Sequence, residues 1–153
     1  MVESEHNFKR RGDWAELRFM ADAAQHGLVV FKPWGDSERY DVGVEHSGHF
    51  QRVQVKSVTH NDGSTYRCDL RRRDRSRAYL VSEVDFFAII IVPREIWYIL
   101  PAQEALLTTA RTICLNPGKK CNRYEHFREA WHLLQHRRRI GDAGDSPAPP
   151  TAP

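Results

Sequence analysis

The 153-residue sequence has only three cysteines, Cys68, Cys114 and Cys121, an odd number with no Cys-x-x-Cys pair, so no disulfide framework is expected. Zinc is set aside on similar grounds, because Cys114, Cys121 and His126 follow no common zinc-ligand spacing. Long apolar runs are missing too. The longest, residues 86–93, falls far short of the roughly 20 residues that span a bilayer. Residues 1–11 are charged and contain no signal-peptide core. These absences lead us to expect a reduced, cytoplasmic setting and no membrane partner. No internal repeat is visible, and a net charge of +3 with an isoelectric point near 8.9 does not by itself identify a nucleic-acid partner.

What is present is a globular composition, 41% hydrophobic and 28% charged, in a length that suits one domain with a real core. We expect that domain over residues 1–140 and a disordered, proline- and alanine-rich tail over 141–153. Positive charge is concentrated rather than spread. Arg67, Arg71, Arg72, Arg73, Arg75 and Arg77 lie in one short stretch, and a second cluster, His136 to Arg139, follows later. Forked guanidinium donors suit phosphate backbones, although a solvated charged face reads the same way.

Hydrophobic periodicity supplies the elements. A first helix is expected after Gly12 and a capping Asp13, with Trp14, Leu17, Ala21 and Ala24 on its apolar face and Gly27 as its stop. Residues 28–31 read as a short buried strand closed by Pro33. Two strands with one apolar face each follow, Tyr40, Val42 and Val44 in the first and Val53 and Val55 in the second. Tyr66, Cys68 and Leu70 mark a third antiparallel strand after the turn signal Asn61-Asp62-Gly63. Residues 86–92 read as a fully buried strand and 97–100 as its neighbour, with a short helix starting at Pro101 and another strand at 111–115. A final helix would carry Tyr124, Phe127, Trp131 and Leu134 as core packing.

The hairpin between the two alternating strands is the most informative segment. A two-residue turn at Ser47-Gly48 pairs residues whose numbers sum to 95, which sets Asp41 opposite Gln54 and Val42 opposite Val53. Opposed side chains on a sheet are close enough for two oxygen-bearing groups to reach one cation. Lys56 projects from the same face, where it could orient an attacking water or stabilise charge developing on a phosphate. Glu16, at the edge of the first helix's apolar stripe, could point over the sheet toward that position. Phe50 is an apolar residue on this polar face with no evident purpose.

Glu16 in Gly-Asp-Trp-Ala-Glu-Leu, Asp41 in Arg-Tyr-Asp-Val-Gly-Val, and Gln54-Val55-Lys56-Ser57 together resemble the PD-(D/E)xK nuclease superfamily over residues 8–135. Within it, the glutamine at Gln54 is similar to the group I intron-associated, homing-type members, and residues 83–88 and 97–101 resemble the Holliday-junction resolvase group more distantly. The resemblance implies a mixed α/β (α+β) fold with a restriction-endonuclease-like core: a mixed central sheet flanked by helices, in the order αβββ and then αβ. It implies a Mg²⁺- or Mn²⁺-dependent DNA endonuclease, working as a homodimer or homotetramer. By carry-over, Asp41, Gln54 and the backbone carbonyl of Val55 would be metal ligands, Lys56 the water-activating group and Glu16 an outer acid. The departures are Tyr40 in place of the motif's proline and Gln54 in place of an acid. The alternative reading is a non-catalytic DNA- or junction-binding protein with a degenerate nuclease site, held to its target by the arginine segment.

Overall fold

The computed structural model describes residues 5–35, 37–71, 79–107, 111–120 and 122–135. A long helix, α1 (Glu5–Gln25), leads into β1 (Val29–Phe31), β2 (Val42–His46) and β3 (His49–Val58). Then come β4 (Asn61–Asp62), β5 (Thr65–Asp69), β6 (Phe86–Ile91), β7 (Ile96–Pro101), α2 (Ala102–Leu106) and β8 (Thr112–Leu115). The strands form a five-stranded sheet in the order β1-β2-β3-β6-β7 and a three-stranded sheet in the order β4-β5-β8. Only the β3–β6 pair in the larger sheet is parallel, so that sheet is mixed.

The larger sheet is covered on both faces. Val42, Val44, Val53 and Val55 pack with Ala15, Phe19 and Ala23 of α1 on one side. On the other, Phe87, Ile89 and Ile91 meet Tyr66, Cys68, Ile113 and Leu115 of the smaller sheet and Ala102 and Ala105 of α2. A strand enclosed in this way must be apolar at every position, which is why residues 86–91 show no alternation. Burial also pushes the Cys68 thiol up to about 12, so it is an inert core residue.

Several expectations from periodicity need correction. The first helix begins at Glu5, not after Gly12-Asp13, and Arg11 from that extra length bonds Ser57 Oγ and Thr59 Oγ1 at the end of β3. Its buried stripe is Ala15, Phe19 and Ala23, whereas Trp14 and Leu17 are exposed. The stripe is rotated because Phe19 is the residue that fits against Trp97 and Trp131, with ring centroids 5.5 and 5.6 Å away. The third strand, β5, does not extend the meander from β3 but pairs with β4 and β8 in the second sheet. The short helix expected at Pro101 is present as α2 after β7, whereas the helix that the resemblance implies after the first three strands is not found between β3 and β6 among the described residues.

The final helix is likewise replaced by two 3-10 turns, Glu125–Phe127 and Trp131–Leu133. Arg128 between them is extended and bridges to Tyr98, and Glu129 takes a left-handed φ of 49° that lets its N–H reach Trp97 O at 2.8 Å. The break divides the apolar residues between the two cores: Tyr124 and Phe127 go to one, Trp131 and Leu134 to the other. The expected tail, 141–153, lies outside the described residues.

The β2–β3 hairpin has the register that the turn arithmetic implies, from Val42↔Val53 to His46↔His49. Ser47 and Gly48 both have positive φ, 53° and 82°, the conformation a two-residue hairpin turn of this twist requires. Phe50 also acquires a purpose. Its ring stacks edge-on with Phe31 and Tyr40 and lies directly over Gly43, where an added Cβ would come within 2.5 Å of Phe50 Cε2. Tyr40 therefore leans toward the second core instead of sharing the face of Val42 and Val44. We predict that Gly43→Ala destabilises the protein by about 1–2 kcal/mol through this overlap, and that combining it with Phe50→Ala removes most of that penalty. Chemical denaturation of the four proteins in a double-mutant cycle measures both.

Candidate active site

The site is built where β2 begins. Asp41 stands one residue ahead of the β2 ladder, and its N–H bonds Val53 O at 3.0 Å. In an unbroken register position 41 would face Gln54 as a pair without mutual hydrogen bonds, so this bond marks a departure from the ladder. The resulting bend turns the carboxylate in toward β3, where Asp41 Oδ2 accepts from Gln54 Nε2 at 2.5 Å and from the Val55 N–H at 2.9 Å. Gln54 is buried, the only buried polar side chain among the described residues. A buried amide needs partners, and the carboxylate is one.

Burial raises the Asp41 carboxyl to about 6, and the nearby charge of Glu16 adds to the rise, while the Val55 N–H, Lys56 and Lys32 pull against it. Glu16 is on α1, its side chain largely covered. It reaches the site because Ala15 and Phe19 are packed into the sheet on either side of it. Lys56, two residues along β3 from Gln54, donates to Arg71 O at 3.1 Å and lies 5.2 Å from the Tyr79 ring centroid. Glu16, Asp41, Gln54 and Lys56 thus come from one helix and two adjacent strands into one neighbourhood. Val55 takes part through its N–H.

The arginines are placed differently. Arg67 projects from β5 and is paired with Asp62 at 3.6 Å, both well exposed. Arg71 is clamped to Asp69, whose carboxyl is held below its ordinary value by that hydrogen bond. Arg72, Arg73, Arg75 and Arg77 lie outside the described residues.

Two site neighbours carry no signal in the sequence. Lys32, one residue beyond β1, donates to the Glu16 carboxylate and to Asp41 O, the latter at 3.0 Å. Tyr79 stands over Lys56. Neither belongs to a spaced motif, and both arrive by long-range packing. A further support is Arg52, the residue on β3 that faces the same way as Gln54. It grips Asp85 through its Nε, its Nη2 and its own backbone N–H. Burial opposes ionisation of Asp85, but these bonds and the guanidinium charge hold its carboxyl below the ordinary range. Asp85 N–H in turn bonds Arg52 O and its carbonyl accepts from Ala102, so this cluster seats the start of β6 against β3.

No group of three or more His, Cys, Asp or Glu side chains converges among the described residues. The donors that could meet a cation here are the carboxylates of Asp41 and Glu16, the neutral oxygen of Gln54 and the backbone carbonyl of Val55. Hard oxygen donors in small number suit Mg²⁺ or Mn²⁺, which keep part of their water and take further oxygens from a phosphate. Gln54 points its Nε2 at Asp41, so its oxygen would meet a cation held by that carboxylate only with the amide turned over.

Comparison with known proteins bears on the fold and the family. The family model described as PD-(D/E)XK endonuclease matches residues 6–134. A bacterial homing endonuclease, I-Ssp6803I, has 29% sequence identity and a TM-score of 0.73, over 82% of this chain and 91% of that one. The Holliday junction resolvase Hjc of Archaeoglobus fulgidus has 14% identity and a TM-score of 0.48, over 69% of this chain and 84% of that one. Comparison with curated proteins gives no match. With the matched segment spanning α1 to the last 3-10 turn, the chain has the restriction-endonuclease-like fold and belongs to the PD-(D/E)XK endonucleases.

Proposed function

We propose that this nuclease is a Mg²⁺- or Mn²⁺-dependent endodeoxyribonuclease in which Asp41, Gln54 and the backbone carbonyl of Val55 hold the metal, Glu16 is an outer or second-metal acid and Lys56 serves the attacking water. The observation that supports it best is the Asp41 carboxylate, drawn into β3 by Gln54 and the Val55 N–H with Glu16 and Lys56 around it. A bound divalent ion would supply Lewis-acid polarisation of the phosphodiester.

The chain's own residues do the rest. Asp41 is held in place by a backbone donor, so it need not be ordered at each turnover. Lys56 is held between the Arg71 carbonyl and the Tyr79 ring, which limits where its ammonium sits, and from there it would serve the attacking water or the developing phosphate charge. Likeness to a bacterial homing endonuclease favours DNA cleavage of the homing type. Cutting both strands takes two active sites, which favours a homodimer or homotetramer acting in the cytoplasm.

Plasmid and branched DNA incubated with the protein and Mg²⁺ or Mn²⁺ should be cut, and Lys56→Ala should lower the rate by about 10²-fold or more. DNA binding that persists in EDTA, with no cutting by the wild type, would identify a binding protein instead and overturn the proposal.

The raised carboxyl of Asp41 has two further consequences. Metal needs the ionised form, so cation binding to the metal-free protein should strengthen as pH rises through about 6 and level off above it. Because the folded carboxyl titrates above its ordinary 3.8, the folded protein binds this proton more tightly than the unfolded chain. Stability from this group is therefore full below the unfolded value and is lost as pH rises through about 6. Asp41→Asn should abolish cleavage yet stabilise the metal-free protein by about 1–3 kcal/mol at neutral pH, with the gain vanishing below about pH 4. Denaturation in EDTA across that range measures it.

A further inference from the structure

Lys32 is the charge at the site that neither the motif nor the family match accounts for. Its Nζ joins three segments: it donates to the Glu16 carboxylate on α1 and to the Asp41 carbonyl at the start of β2, while its own backbone leaves β1. The Glu16 side chain is 19% exposed and that of Lys32 49%, so the acid is the more covered of the two. Asp41 feels both Lys32 and Lys56.

The local charges then balance. Two carboxylates, Asp41 and Glu16, face two ammonium groups, Lys32 and Lys56, and Gln54 contributes none. A divalent cation entering this set would leave it with two excess positive charges and would have to take Glu16 away from Lys32. A phosphodiester brought in with the cation supplies negative charge and gives the released ammonium a new partner. Each ligand therefore favours the other through Lys32, which is a coupling free energy between two ligands of one site.

Building on the nuclease reading of this site, we infer that Lys32 makes metal occupancy conditional on a DNA phosphate, by holding Glu16 until cation and phosphate arrive together. Lys32 is on this account a positioning residue rather than a catalytic one. It would keep the free protein largely without metal and load the site on DNA.

The test is binding of Mn²⁺ alone to the DNA-free protein, followed by electron paramagnetic resonance or calorimetry, in the wild type, Lys32→Met and Lys32→Arg. Lys32→Met should bind Mn²⁺ at least about fivefold more tightly than the wild type, and Lys32→Arg, which keeps the charge, should resemble the wild type. Linkage requires a matching change on the other ligand, so the gain in duplex DNA affinity on adding Ca²⁺ should shrink in Lys32→Met by a similar factor. Mn²⁺ binding to Lys32→Met that is equal to or weaker than wild type would overturn the inference and leave the nuclease reading standing. Failure of every variant to bind Mn²⁺ in a manner that Asp41→Asn abolishes would overturn both.

Discussion

The contact on which the rest of the site depends is the hydrogen bond from the Val55 amide to the Asp41 carboxylate. It exists because the chain bends just ahead of β2, leaving Asp41 outside the ladder with its side chain turned toward β3. Gln54 completes the arrangement from the same strand, and its burial is tolerable only because the carboxylate accepts from it. An acid held by backbone and amide donors, with little water around it, is ready for a cation and costly to keep empty. Stability is thereby spent at the point where chemistry is carried out.

Both faces of the larger sheet bear on that contact. On one, Val53 and Val55 are locked against α1, which fixes the height of β3 and carries Glu16 over the site. On the other, Tyr79 lies over Lys56 and packs on Phe87, and Arg52 is tied to Asp85. Lys56 meets Arg71 O on that side, so the chain entering the arginine-rich stretch starts beside the lysine of the site.

Much of this was legible in the chain, and the limits were physical. The β2–β3 register followed from Ser47-Gly48, because a two-residue turn and a period of two leave one pairing that keeps the valines together. The strand at 86–91 was legible from its unbroken apolar run. The stripe of α1 was misplaced because the sequence offers two apolar faces on that helix, one through Trp14 and Leu17 and one through Ala15, Phe19 and Ala23. Small alanines that permit close approach won over larger residues that would have held the helix away from the sheet. The last helix dissolved into two turns for a tertiary reason: Trp97 O takes the Glu129 N–H, and Tyr98 bridges to Arg128.

By itself the sequence determined the local things: which segments alternate, where the hairpin turns, and that an acid, an amide and a lysine fall close together on β2 and β3. These depend on neighbours a few residues apart and on fixed periods of the backbone. Only the tertiary structure decided that β5 leaves the larger sheet, that Gln54 is buried against Asp41, and that Lys32 stands between Glu16 and Asp41. Those outcomes rest on contacts between residues far apart in the chain, where burial and charge balance, not periodicity, select the partner.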